Sequence, residues 1–241
     1  MIPAVTCTDE PRDDAGDDAH PGTHPGALST FGALAARVLS GPPRLGAVRM
    51  VGIDGPAGSG KTTLAGRLVA ALGDATGDPV TLVHMDDLYP GWRGLQAAAL
   101  DLVPRWLLEP LSAGQPGRWR RWDWHAGALA EGHEVPASGV LVLEGCGSTA
   151  RPSDPYTTLR IWVDAPVELR TARGMERDGA QVLPFWRAWQ ADEEEHFAAD
   201  GTRARADLLV DGAAGSDDPG SGIVAVDPTA GELRSGRRGC R

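Results

Sequence analysis

The segment GPAGSGKT at residues 55–62 constrains this chain more than any other. It runs Gly55, Pro56, Ala57, Gly58, Ser59, Gly60, Lys61 and Thr62, with Thr63 following. Glycine lets the backbone curl so that successive N–H groups turn inward and cradle phosphate oxygens. In this pattern the lysine reaches the β- and γ-phosphates, and the hydroxyl beside it ligates Mg²⁺. The loop works only where a buried strand hands over to a helix whose N-terminus adds positive potential. The flanking sequence supplies both. Residues 48–54 read as a short apolar strand, and 61–72 as a helix with Leu64, Leu68, Ala71 and Leu72 on one face and Gly73 as its stop. A dinucleotide fingerprint is excluded, because Thr63 stands where the third glycine would fall.

Composition sharpens that reading. Of 23 basic residues only Lys61 is a lysine; the rest are arginine. Whatever removed lysine elsewhere left it inside the loop, where a compact ammonium fits and a wide guanidinium fork does not. The net charge of −10 disfavours a nucleic-acid polymer as partner. No apolar run approaches the roughly 18–20 residues that span a bilayer. The N-terminal stretch is acidic, without the basic and apolar regions of a secretory signal, so a cytoplasmic setting away from membranes is expected. Cys7, Cys146 and Cys240 are too far apart to suggest a disulfide framework or a zinc motif. A homo-oligomer is left open.

Residues 1–27 and 212–241 are rich in Gly, Asp, Ser, Pro and Arg with little apolar pattern, and read as disordered tails around a domain at 28–211. His20 and His24 fall in the first tail and read as solvated. Between the tails, strands at 80–84, 139–143, 159–163 and 208–210 alternate with helices at 95–111, 167–177 and 184–197. Pro104 and Pro110 are expected to split or end the first of these helices. The alternation predicts an α/β fold: a mostly parallel five-stranded sheet with helices on both faces, in three layers.

Such a sheet collects its ligand-binding residues at the carboxyl ends of its strands. Asp54, Asp86, Glu144 and Asp164 all fall there. Asp86 and Glu144 are the functional candidates, as proton acceptor and Mg²⁺ neighbours together with Thr62. Asp54 and Asp164 also suit backbone hydrogen bonding or helix capping. Arg170, Arg173 and Arg177 recur at helical spacing, which suits either a lid that closes over phosphates or a solvated face paired with Glu168, Glu176 and Asp178. At 118–125, RWRRWDWH interleaves arginine with tryptophan. Trp119, Trp122 and Trp124 could hold a planar small substrate, or could form the inner face of a strand.

The order of these motifs resembles the uridine kinase-like branch of P-loop nucleoside kinases, from residue 50 to residue 211. DGPAGSGKT looks like that family's phosphate loop, HMDDLY its second-strand segment, LVLEG its Walker-B-like strand, RTARGMERD its arginine lid, and WDW an aromatic segment lining the nucleoside pocket. The resemblance implies a P-loop NTPase-type fold and transfer of the ATP γ-phosphate to a small-molecule hydroxyl, with a nucleoside as leading acceptor. It implies Lys61, Asp86, Arg173 and Arg177 as catalytic residues and the loop residues 55–63 with Arg170 as ATP contacts. Thr62, Asp86 and Glu144 would hold Mg²⁺, and Asp86, Tyr89, Trp122 and Trp124 would meet the substrate. Two departures stand out. His125 follows the aromatic segment at once, where the family has a gap, and Gly174 occupies the place of an adjacent arginine. Kinases for another alcohol (a sugar, a vitamin precursor or an antibiotic) and a regulatory module that binds or slowly hydrolyses ATP are the alternatives.

Overall fold

The computed structural model describes residues 30–213 and 223–225. Helix α1 (Phe31–Ser40) precedes strand β1 (Ala47–Asp54), helix α2 (Lys61–Ala75) and strand β2 (Val80–His84). A 3₁₀ turn at Met85–Asp87 leads to a long helical segment, α3, at 95–112. Strands β3 (Gly117–Asp123) and β4 (Ala128–Val135) form an antiparallel hairpin of their own. Then come β5 (Ser138–Glu144), β6 (Thr157–Asp164), helices α4 (Val167–Asp178) and α5 (Leu183–Asp200), β7 (Leu208–Asp211) and β8 (Ile223–Ala225).

The main sheet has the order β2-β5-β1-β6-β7-β8. The first five strands are parallel, as the alternation predicts, and β8 adds an antiparallel edge. Its central strands are buried on both faces, so alternate residues enter different cores. Val51, Ile53, Val140 and Val142 pack with Leu64, Leu68 and Leu72 of α2 and with Leu34 and Val38 of α1. Met50, Leu141 and Leu143 pack with Leu95, Val103, Leu107 and Leu111 of α3 and with Trp189 of α5. This is the expected three-layer arrangement.

Three local expectations change. Helix α2 runs through Gly73 to Ala75, with Thr76 N–H closing on the Leu72 carbonyl. A helical glycine costs only about 1 kcal/mol against alanine, and the buried row of Leu64, Leu68 and Leu72 holds the helix in place. The prolines do not interrupt α3 either. Its middle is wound in π turns, Ala98–Leu102 and Pro104–Leu108, with Pro104 opening the second and Pro110 in the first turn of the closing Glu109–Ser112 segment. A missing N–H costs least at such starts. Thirdly, the sheet continues past residue 211: Gly212 N–H donates to the Asp164 carbonyl, and β8 pairs with β7.

The remaining tail residues, with His20, His24, Cys7 and Cys240, lie outside the described residues. Among the described residues no helix is long and apolar enough to cross a membrane.

Candidate functional site

The carboxyl ends of β1, β2 and β5 open into one cleft of about 950 Å³. Ala57, Gly58, Gly60, Lys61, Thr62 and Thr63 line one end of it, and Asp86, Asp87, Tyr89, Trp92 and Trp124 the other. Glu144, Gly145 and Cys146 form part of the lining, and Arg173, Arg177 and Trp186 approach from the lid side.

The phosphate loop is built from below. Asp54 is fully buried and accepts hydrogen bonds from the Gly55, Gly147 and Thr149 amides and from the Thr149 hydroxyl, at 2.8–2.9 Å. It ties the loop's first residue to the chain leaving β5, which is the backbone-bonding reading of that residue. Asp164 likewise caps its own turn through Ala165 N–H. Gly55 has φ +137° and its absent Cβ would lie 2.1 Å from the Val163 carbonyl oxygen, so any side chain there would push the loop off β6. Gly55, Pro56 and Ser59 shape the cradle from beneath, outside the cleft lining.

Helix α2 begins after Gly60, which is left-handed and provides no side-chain cap. An uncapped N-terminus leaves backbone donors aimed into the cleft, a ready anion site. Lys61 is buried, and its ammonium donates to the Pro56 carbonyl at 2.9 Å. Burial alone would lower its pKa, yet the net shift is upward. Cys146, 3.9 Å away, stays a neutral thiol because burial pushes its own pKa well up, so the carboxylates of Glu144, Glu193 and Asp86 keep Lys61 charged at neutral pH. The Ser59 hydroxyl is buried with no protein partner. These donors fit the phosphates of a nucleotide.

Glu144 ends β5 and accepts from the Thr62 hydroxyl at 3.1 Å and contacts His84 Nδ1 at 2.5 Å. The Glu144 hydrogen bond raises the His84 pKa. Among the described residues no group of three or more His, Cys, Asp or Glu is arranged to hold a metal by itself. Mg²⁺ takes one or two protein oxygens and completes its shell with phosphate oxygens and water. Thr62, Glu144 and Asp86 are the protein oxygens at hand.

Asp86 sits on the 3₁₀ turn after β2. Its side chain opens onto the cleft while protein surrounds it closely. Desolvation and the nearby Glu144 raise its pKa, against the pull of Lys61, Arg177 and His84. Tyr89 is buried and donates from its hydroxyl to the Cys146 carbonyl at 2.7 Å, presenting its ring to the cleft.

The three arginines of α4 separate into different environments. Arg170 is outside the cleft lining; it bonds to the carbonyls of Ala165 and Ala57 and to the Glu193 carboxylate at 3.1 Å. Glu193 in turn accepts from the Ala57 amide at 2.8 Å. Arg170 therefore braces the loop from behind, a role the spacing could not distinguish from a lid. Arg173 reaches the Gly58 carbonyl at 3.3 Å and faces the cleft. Arg177 also faces the cleft, held by two bonds to Asp178 at 2.7 and 2.8 Å. Gly174 is a packing requirement: a Cβ there would meet the Trp186 ring at 2.1 Å.

At the aromatic end of the cleft the hairpin tryptophans differ. Trp119 is buried, and Trp122 is outside the cleft lining, because Trp122 pairs with Leu129 within the hairpin. Trp124, beyond the strand, does reach the cleft and donates from its indole to the Asp86 carbonyl at 2.9 Å. The other walls are Trp92, Trp186 and Trp189, which the motifs do not include; nor do they include Glu193 behind the loop or His84 beside Glu144. A compositional signal existed: eight tryptophans against two tyrosines and three phenylalanines.

No protein-family model matches the sequence, and no curated protein sequence does. Solved structures do match. A possible uridine kinase from Bacillus stearothermophilus superposes with a TM-score of 0.54 at 21% identity, covering 74% of this chain and 96% of that one. A candidate fructose transport system kinase from Silicibacter sp. TM1040 superposes with a TM-score of 0.51 at 22% identity, covering 71% and 95%. The chain thus shares the three-layer α/β fold of these two solved structures.

Proposed function

We propose that the protein is an ATP- and Mg²⁺-dependent phosphotransferase acting on the hydroxyl group of a small molecule. One observation carries the reading: a carboxylate on the turn after β2, Asp86, shares a cleft with a buried lysine and an uncapped helix N-terminus. The second group binds phosphates; the first accepts a proton.

Lys61 and the amides of the loop hold the β- and γ-phosphates. Bound Mg²⁺ would neutralise phosphate charge, with Thr62, Glu144 and Asp86 as its protein neighbours. Asp86 takes the hydroxyl proton as the acceptor oxygen bonds to the γ-phosphorus. The bond from that phosphorus to the bridging oxygen breaks, and ADP leaves with the electron pair. A base whose pKa lies nearer neutrality is better matched to this transfer. Arg173 and Arg177 offset the charge on the transferring group. Positioning and electrostatics supply most of the rate, as is general for phosphoryl transfer.

A nucleoside is one candidate acceptor, supported by the motif resemblance and the likeness to a possible uridine kinase. The fold alone does not select it, since a candidate fructose transport system kinase superposes about as well. A cytoplasmic setting, where ATP and Mg²⁺ are plentiful, agrees with this reading. The test is ADP release measured with a panel of nucleosides, sugars and other alcohols. At least one should raise the rate above the water background; a flat panel would sink the kinase reading.

A further inference from the structure

The acceptor end of the cleft has its own chemistry. Tyr89, Trp92, Trp124, Trp186 and Trp189 line it, drawn from the β2–α3 connection, the hairpin and α5. The rings meet at steep angles. Trp92 stands at 67° to Trp124 and 76° to Trp189, with centroids 5.4 and 6.4 Å apart, and Tyr89 is tilted 56° to Trp189. The one near-parallel pair, Trp92 and Phe185 at 20°, is already stacked on itself at 5.5 Å. A flat ring is best held in a slot between parallel faces. Walls at steep angles make a box instead, which suits a compact three-dimensional group.

The polar groups agree. No Asn or Gln amide and no Ser or Thr hydroxyl lies among the lining residues of this end, so the neutral side chains that commonly read the edge of a nucleobase are not among them. The charged lining there is mainly acidic. Asp86 and Asp87 have no ion pair among the described residues, whereas Arg177 in the lining is paired with Asp178. His125 is the other basic side chain at this end. Aromatic faces present negative potential, and a box of them beside carboxylates binds ammonium groups well.

We propose that the acceptor is an amino alcohol, whose ammonium group sits in the aromatic box while its hydroxyl lies at Asp86. This rests on the phosphotransferase reading. The two can be tested apart with the full chain, Mg²⁺-ATP and two matched probes: choline and its uncharged isostere 3,3-dimethyl-1-butanol, with uridine and cytidine as competitors. Binding is followed by calorimetry and transfer by ADP release. Choline should bind at least about tenfold more tightly than the neutral isostere and should raise ADP release. Trp92→Leu should erase that preference and Trp92→Phe should restore much of it. Equal binding of the two probes, or tighter binding and faster turnover with a nucleoside, would overturn the amino-alcohol assignment while leaving the kinase reading intact. Tight choline binding without ADP release would keep the box and overturn the transfer.

Discussion

The two ends of the cleft are made in opposite ways. The phosphate end comes from consecutive residues: a strand end, a tight loop and a helix start, all between Asp54 and Thr63. The acceptor end comes from residues scattered between Tyr89 and Trp189, which only the fold brings together. Local backbone geometry suffices to bind phosphate, because the donors are main-chain N–H groups. Shape around an acceptor needs side chains from several elements at once. The first can therefore be read along the chain, and the second cannot.

Breaking either end should give distinct signatures. Asp86→Asn removes the proton acceptor and should lower transfer by about 10²–10⁴-fold, with ATP binding measured by calorimetry little changed. Activity retained by that variant would move the base elsewhere. Lys61→Ala strikes the other end, and should cost about 10²–10³-fold in kcat together with weaker ATP binding. If ATP binding and turnover both survive it, the loop does not hold the phosphates.

Two structural variants sharpen how the ends are held. Glu193→Ala strips the acceptor from Arg170 and from the Ala57 amide. Breaking a buried pair of this kind costs about 3–5 kcal/mol, read by urea unfolding, and the displaced loop should raise KM for ATP. Gly174→Ala drives a methyl group into Trp186, for about 1–3 kcal/mol of overpacking. Its KM effect should fall on the acceptor, since Trp186 lines the cleft; an effect on ATP alone would argue against that wall.

The smallest effect is a pH dependence. The Asp86 pKa lies above the ordinary aspartate value of 3.8, through desolvation and the charge of Glu144. The base acts ionised, so the rate should fall with decreasing pH through this raised pKa, and the acid limb of kcat/KM should lie above the ordinary aspartate range. Linkage gives the stability counterpart. A raised native pKa means that the folded state binds this proton more tightly than the unfolded chain. Stability from this group is then greatest below the unfolded value and is lost as pH rises toward the native one. At neutral pH Asp86→Asn should be the more stable protein, read as a rise in Tm that solvent at the open cleft keeps small. A less stable variant would mean that Asp86 is held by favourable contacts rather than strained for function.

Several side chains show how legibility depends on the physics involved. Asp86 and Glu144 could be placed at strand ends because apolar strands are bounded by the first polar residue that leaves the sheet. Arg170 and Arg173 have the same residue type and neighbouring spacing, yet one braces the loop and the other faces the cleft. Their difference is set by Glu193, which lies on another helix. Trp122 and Trp124 looked equivalent by alternation, but β3 ends at Asp123, so Trp122 stays paired within the hairpin while Trp124 lies in its turn and reaches the cleft. Pro104 looked like a break, and a π turn accommodated it.

What the chain determined alone is its parallel, doubly covered sheet and the phosphate loop at the end of β1. Both follow from short-range patterns: alternation of apolar runs, and glycines that free the backbone at fixed offsets around a single lysine. Only the tertiary structure decided the aromatic wall of the cleft, the Glu193 brace and the different surroundings of the three arginines. Those depend on where distant side chains meet, and contacts between residues as far apart as Ala57 and Glu193 leave no periodic trace in the sequence.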